Sequence, residues 1–532
     1  MQTTNQHKHV HNPWLILAII SLPVFIGALD LTIVSAFLPE LILELELPLQ
    51  SDLDDAAWIV SGYLLAYTIS MTFMGRVSDL VGRRRVYIAS LIIFIVGSII
   101  VATADATPTQ IAYNLYRRMG ERPDRNNVTL QVIILGRVIQ ALGAGALVPV
   151  SLALVGDLFP AGRRAWPLGI IGAIDTLGWV LGHLYGGIMV QFTAWQNLFW
   201  INVPITLAAL GATWWFLRHV PQPRHKGRFD FAGAILIISA LIALNIGLGA
   251  NIEVSGATAS FEELSSLPAY ALPLLSVALL LFIGFIAVES RVRYPLFDLN
   301  MFKRRNLSSG SLTNLFVGFS LMIGLVSVPI LVNVRAEDAT ELTEAALRVG
   351  VLLSALTVPM ALAAIPGGWL SNRVGYQRAT AIGLGIALLG FGLVWRTWRI
   401  DISDMLVAFE MALIGIGLGL TFSPISAAVI NAADEDKRGS ASALVIILRL
   451  IGMTLSISAL TTISLRRVNA LAVEQLGGPV DPFGAIDVYA NITVKVLAEL
   501  GLVGAVVCAI ALVPALLLRR HDGETILKSA AD

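Results

Sequence analysis
The sequence predicts an all-α membrane protein with fourteen crossings, and three observations carry that prediction. Fourteen apolar runs follow one another through 532 residues, each near the roughly 20 helical residues that cross a hydrocarbon core of about 30 Å. The chain is 56% hydrophobic and only 14% charged, with a mean hydropathy of +0.78. An ordinary soluble domain carries roughly 25% charged residues, so no soluble core could absorb this much apolar surface. Finally, a glycine-bracketed charged turn from Gly75 to Arg85 follows the second run, and its spacing returns at Gly368 to Arg378 after the tenth.

In order, the expected spans are 14–38, 55–74, 86–104, 131–152, 167–190, 197–217, 230–250, 269–289, 307–333, 347–370, 379–395, 404–428, 441–465 and 490–517. The first is too long for the apolar stretch of a signal peptide and lacks a small-residue cleavage pattern, so it reads as a span. Lys and Arg collect on the side that holds both termini, which predicts a cytoplasmic N- and C-terminus in the cell membrane. One outer connection opposes this rule: the segment after run 3 carries Arg117, Arg118, Arg122 and Arg125 beside Glu121, Pro123 and Asp124. It is expected to be a solvated insertion. The echoed turn divides the chain into an N-terminal six-helix bundle (1–217), a linker with spans 7 and 8 (218–306), and a C-terminal six-helix bundle with a cytoplasmic tail (307–532). Two such halves, related by an axis along the membrane normal, are the architecture of rocking secondary transporters.

Composition also excludes much. Lys plus Arg equals Asp plus Glu at 36 each, which gives no basis for nucleic-acid binding. The one cysteine, Cys508, lies inside the last run, so no disulfide forms within a chain. His7, His9 and His11 read as a solvated tail rather than a metal site. No lysine follows a glycine, so no phosphate-binding loop of the Walker type exists, and the hydrolase and metalloprotease motifs are absent. The reading is a non-enzyme with no cofactor and no metal.

The turn at Gly75 holds the most specific pattern. Its glycines permit a tight turn, and a carboxylate at Asp79 can meet the positive N-terminal end of a helix from the other half. The start of run 13, Arg438-Gly439-Ser440, is the expected partner. With Gly75, Asp79, Gly82, Arg83 and Arg84 matching G-x-L-x-D-R-x-G-R-R, the chain resembles the major facilitator superfamily, specifically its fourteen-span drug:proton antiporter branch. Leu80 departs from that pattern at the first arginine.

Ionisable groups inside the runs are the remaining candidates, because a charge in hydrocarbon needs a cavity or a partner. Asp30 in run 1 and Arg137 in run 4 lie at similar depth and are expected to pair. Arg137 and Gln140 resemble the family's R-x-x-Q-G pattern, with Ala141 in place of its glycine. In run 5, Gly169, Gly178, Gly182, Gly186 and Gly187 match the antiporter signature G-x8-G-x3-G-P-x-x-G-G, and His183 replaces its proline. The resemblance implies export rather than import. Asp175 in the same run is a proton-coupling candidate, and Arg449 in run 13 shares its depth. Glu410 ranks lower, being expected near hydrated surface, and Gly415, Gly417 and Gly419 are expected to serve helix packing.

These readings converge on a proton-coupled secondary transporter that exports hydrophobic or amphiphilic compounds, drugs or lipids, by alternating access. An acid in run 5 ahead of the glycines, the string Phe199 to Pro204, and Gly439 to Gly452 are similar to lipid (triacylglyceride) exporters of the same branch, which is the alternative. A transport-inactive sensor or scaffold is the reading from another class. The expected partners are hydrophobic small molecules or lipids, protons and the membrane, with room for a periplasmic protein.

Overall fold
A backbone inside a bilayer has no water to bond, so its N–H and C=O groups must pair within each segment. The computed structural model describes residues 12–45, 53–121, 123–190, 192–220, 229–247, 270–335, 339–475 and 482–519, and among them there is no strand. The helices are α1 (Pro13–Glu44), α2 (Leu53–Val81), α3 (Arg83–Ala102), α4 (Thr107–Arg118), α5 (Arg125–Leu158), α6 (Ala165–Val190), α7 (Gln196–Phe216) and α8 (Phe231–Gly247). They continue with α9 (Ala271–Glu289), α10 (Arg305–Val334), α11 (Ala339–Val374), α12 (Tyr376–Thr397), α13 (Asp404–Ala432), α14 (Arg438–Gln475) and α15 (Pro482–Ala515). Among the described residues, twelve are long and apolar enough to cross a membrane, namely α1–α3, α5, α7 and α9–α15. The expected runs 167–190 and 230–250 fall on α6 and α8. His7, His9, His11 and Arg122 lie outside the described residues.

The helices of each half pack mainly on one another. In the first, α1 lies on α6 while α5 lies between α2 and α3; in the second, α13 lies between α11 and α12 while α10 lies on α14. Two seams join the halves, α2 along α14 and α6 along α11. One apolar core centres on Leu384, Phe391 and Ile414 of the second half. Another, around Tyr67, Phe94 and Leu147, continues across the seam into Ala427, Ile430 and Ile446. The α8–α9 pair closes over the α2–α14 seam through Phe285, Leu296 and Phe297 against Phe73, Ala443 and Ile447.

The two echoed turns share a backbone conformation. Gly82 follows α2 at φ 106° and Gly375 follows α11 at φ 88°, a region that L side chains adopt only with strain. Each turn therefore reverses the chain in about one residue.

Two expectations change and a third gains detail. The segment expected to be a solvated insertion contains a helix, α4, which packs on α5. α14 runs to Gln475, ten residues past the apolar run; its 38 residues give a rod of about 57 Å at 1.5 Å per residue. The extension persists because Val468, Leu471 and Ala472 form a narrow apolar seam with Ile492 and Val496 of α15, while the outer faces carry an Arg467–Glu499 ion pair at 2.8 Å. Glu410 is fully buried rather than hydrated. Its carboxylate accepts from Thr397 Oγ1 at 2.5 Å and Trp398 Nε1 at 2.8 Å, fastening the end of α12 to α13.

Replacing Glu410→Ala strands the buried Trp398 indole N–H, at a cost of about 1–3 kcal/mol, while the Thr397 hydroxyl keeps the Leu393 carbonyl at 3.0 Å. Thermal unfolding of the detergent-solubilised protein should therefore shift to lower temperature, and an unchanged midpoint would show that the staple contributes nothing.

Candidate functional site
Among the described residues, three charged constellations hold the interior charges expected from the sequence at Asp30, Asp79 and Asp175, and they differ in how completely they are closed. The first lies wholly in the first half. Arg137 Nη1 donates to Asp30 Oδ2 at 2.5 Å and to Gln140 Oε1 at 2.7 Å, and Arg137 Nη2 donates to the Asp30 carbonyl at 3.0 Å. The second carboxylate oxygen, Oδ1, accepts from Gln140 Nε2 at 3.0 Å and from Asn202 Nδ2 at 2.8 Å. Gln140 Nε2 also reaches Ser98 Oγ at 2.9 Å. The guanidinium stacks 3.8 Å from the Tyr63 ring centroid and 5.6 Å from that of Phe199. Asp30, Arg137, Gln140 and Tyr63 have no solvent-exposed surface. A charge pair so far from water survives because nearly every polar atom is bonded; Arg137 Nε is the exception.

The second constellation crosses the α2–α14 seam. Asp79 Oδ1 accepts from the Gly439 N–H at 3.0 Å and Oδ2 from the Ser440 N–H at 3.1 Å. These are orphan donors in the first turn of α14, where the helix dipole favours a negative group. Approach this close depends on two glycines: a Cβ on Gly75 would strike the Gly439 carbonyl, and one on Gly439 would strike that of Gly75. Arg83 Nη1 holds Asp79 at 2.5 Å and its Nε holds Asp157 at 2.9 Å. Arg438 Nη1 meets the other oxygen of Asp157 at 3.0 Å. Arg84 lies apart from this cluster and donates to the Trp214 carbonyl at 3.0 Å.

Further bonds seal the same end. Ser442 Oγ donates to the Pro149 carbonyl at 2.7 Å, Arg164 Nη1 to Asn431 Oδ1 at 2.6 Å, and Asn431 Nδ2 to the Ala161 carbonyl at 3.1 Å. Burial, with Arg438 nearby, lowers the Arg164 guanidinium to about 10, so it remains cationic at neutral pH. Lys437 Nζ meets Asp298 of the α9–α10 connection at 2.7 Å. Partial burial pushes the Asp298 carboxyl up, but its bonds to Lys437 and the Asn300 N–H outweigh this and hold it below the ordinary value.

The third constellation bridges the halves deeper inside. Asp175 Oδ2 on α6 lies 4.0 Å from Arg449 Nη2 on α14, and each side chain keeps just under a fifth of its surface exposed. The Arg449 guanidinium sits 4.5 Å from the Phe422 ring centroid. This contact is longer and wetter than the other two. Nearby glycines of α6 face two ways. A Cβ on Gly169 would strike Ser423 and Ala364 of the second half, whereas one on Gly178 or Gly182 would strike Phe25 or Leu29 of α1. Gly186 and Gly187 continue the same helix, as does His183, whose side chain lies outside the described residues.

The structure thus brings together Asp30 with Arg137, Asp79 with the start of α14, and Asp175 with Arg449. Sequence reasoning left out Tyr63, Asn202, Asp157, Arg164 and Asn431. Asn202 is a polar residue inside run 197–217 and Asp157 lies five residues past run 131–152, which was the available clue; the hydrogen-bonding role of Asn431 gave none.

Comparison with known proteins bears on most of the chain. The Major Facilitator Superfamily profile matches residues 20–457. A triacylglyceride transporter of Mycolicibacterium hassiacum is 32% identical over 472 residues, covering 86% of this chain and 80% of its own. One from Mycolicibacterium smegmatis is 30% identical over 526 residues, covering 94% and 87%. The crystal structure of the human organic anion transporter MFSD10 aligns with a TM-score of 0.55 at 15% identity, covering 94% of this chain and all of that one, which establishes likeness of fold.

Two outcomes are expected of these contacts. Asp79→Asn keeps the shape but removes the charge from the α14 terminus, so this end opens more often; a reporter at Ile446→Cys, buried across the seam, should react faster with a polar maleimide, and an unchanged rate refutes the clamp. Breaking the sealed pair by Asp30→Asn or Arg137→Gln alone should cost about 3–5 kcal/mol. The double substitution should cost less than their sum by about 0.5–3 kcal/mol. Strict additivity in thermal unfolding would mean the two side chains act separately.

Proposed function
The chain belongs to the Major Facilitator Superfamily, and on that premise we propose that it exports a lipid of the triacylglyceride class by proton-driven alternating access. It is a multi-pass membrane transporter. All fourteen apolar runs cross in this reading, with both termini in the cytoplasm, which places the Asp79 clamp on the cytoplasmic side. The conformation described is then the one closed toward the cytoplasm.

The observation that carries the coupling is the Asp175–Arg449 contact. It is a charge pair at mid-membrane whose two members belong to different halves and stand 4.0 Å apart with partial exposure. Rocking of the halves must lengthen or shorten it. A carboxylate stays ionised while a guanidinium faces it and can accept a proton once that partner withdraws, so protonation and the switch become linked. Asp30–Arg137 sits within one half and serves as the fixed charge reference beside α6, with Thr32 of the same helix donating to the Trp179 carbonyl at 2.7 Å. Opening toward the cytoplasm breaks the Asp79 clamp and the Asp157–Arg438 pair.

A lipid cargo is supported by the triacylglyceride transporters among the relatives, at 30–32% identity over most of the chain. The glycine series on α6 is what this reading shares with drug antiporters, so amphiphilic cations are the competing cargo.

The experiment is gradient-driven transfer in reconstituted vesicles, with a fluorescent triacylglycerol and a cationic dye as cargoes. An imposed pH gradient should move the lipid, and Asp175→Asn should abolish that response while leaving lipid binding measurable. Preferential dye transfer would replace lipid with drug as cargo, absence of any flux would favour a scaffold, and a normal gradient response in Asp175→Asn would remove that residue from the coupling.

A further inference from the structure
We propose that α4 is a membrane-surface anchor that binds the anionic phospholipid headgroups of the bilayer at the end of the molecule opposite the Asp79 clamp. The helix presents Ile111, Leu115 and Met119 outward, at 65%, 60% and 68% exposure. Four-residue spacing puts all three on one stripe, an apolar face that nothing among the described residues covers. The opposite side is fastened down. Thr109 is fully buried and its hydroxyl donates to the Ala104 carbonyl at 2.5 Å, tying α4 to the turn that follows α3.

The depth of α4 follows from its other tether. Tyr116 Oη donates to Gln131 Oε1 at 2.9 Å, and Gln131 is the first residue of the apolar run 131–152. It stands six residues inside α5, roughly 9 Å along that helix at 1.5 Å per residue. So α4 lies folded down at the level where hydrocarbon begins, instead of standing off into water.

The charge fits the same place. Four arginines, Arg117, Arg118, Arg122 and Arg125, outnumber two acids, Glu121 and Asp124, in the connection that leaves this face. Among the described residues Arg117, Arg118 and Arg125 are exposed and form no ion pair. Basic residues beside an exposed apolar stripe are the composition of a helix lying in a bilayer interface, apolar face down and cations among the headgroups. This assignment also gives a physical role to the one connection that opposes the charge asymmetry of the rest.

The test uses the full chain in lipid nanodiscs, with an environment-sensitive fluorophore on Leu115→Cys; the native Cys508 is buried, and the unsubstituted chain controls for its labelling. Brominated phosphatidylglycerol should quench the probe more strongly than brominated phosphatidylcholine. Each replacement among Arg117→Gln, Arg118→Gln and Arg125→Gln should weaken the apparent affinity for the anionic lipid by roughly fivefold or less, with the unfolding midpoint unchanged. No quenching by either lipid would put α4 in water and overturn the proposal. Equal quenching by both, or quenching indifferent to the arginines, would overturn its headgroup preference.

Discussion
A charge taken into a bilayer must be neutralised where it sits, and that constraint organises this molecule. Each of the three interior constellations answers it differently. Asp30 and Arg137 are closed off by Gln140 and Asn202 within one half, and breaking a buried pair of this kind costs about 3–5 kcal/mol. Asp79 is neutralised in part by a helix terminus across a seam, an interaction worth about 0.3–2 kcal/mol. The magnitudes separate a permanent fixture from a contact that can open. Asp175 and Arg449, facing each other across the halves at 4.0 Å with partial exposure, form the most open contact of the three.

The same end of the molecule is built twice. Gly75 of α2 crosses Gly439 at the start of α14, and Gly368 of α11 crosses Ala165 and Trp166 at the start of α6, each with no room for a Cβ. Gly82 and Gly375 then turn the chain with positive φ. The charge content is not duplicated: Asn372 stands where the first copy has Asp79. One seam therefore carries a carboxylate at a helix terminus and its counterpart does not, so changes in charge act unequally on the two.

Two additions flank this frame. The α8–α9 pair packs on the α2–α14 seam through Phe297 and Ile447, and Asp298 ties its far end to Lys437, one residue before α14 begins. Because the folded Asp298 carboxyl lies below its ordinary value, the stabilisation is present above the unfolded pKa and is lost as pH falls through the folded one. At the opposite end, α14 and α15 project as a hairpin whose seam is only five buried side chains wide.

What the sequence determined by itself was whatever depends on length, spacing and the cost of charge in hydrocarbon. The apolar runs located the helices, because in a bilayer hydrophobicity and self-satisfied hydrogen bonding leave few alternatives. The turn spacing pointed Asp79 toward the start of run 13, and common depth suggested Asp30 with Arg137. Only the tertiary structure decided the rest. Glu410 looked hydrated until Thr397 and Trp398 were seen to enclose it. The helical character of α4 and the length of α14 were hidden because amphipathic helices outside the core lack the continuous apolar run that marks a span. Asn202, Asp157 and Asn431 became legible only when the helices were side by side, since a hydrogen bond joining residues 172 or 270 positions apart leaves no periodic trace along the chain.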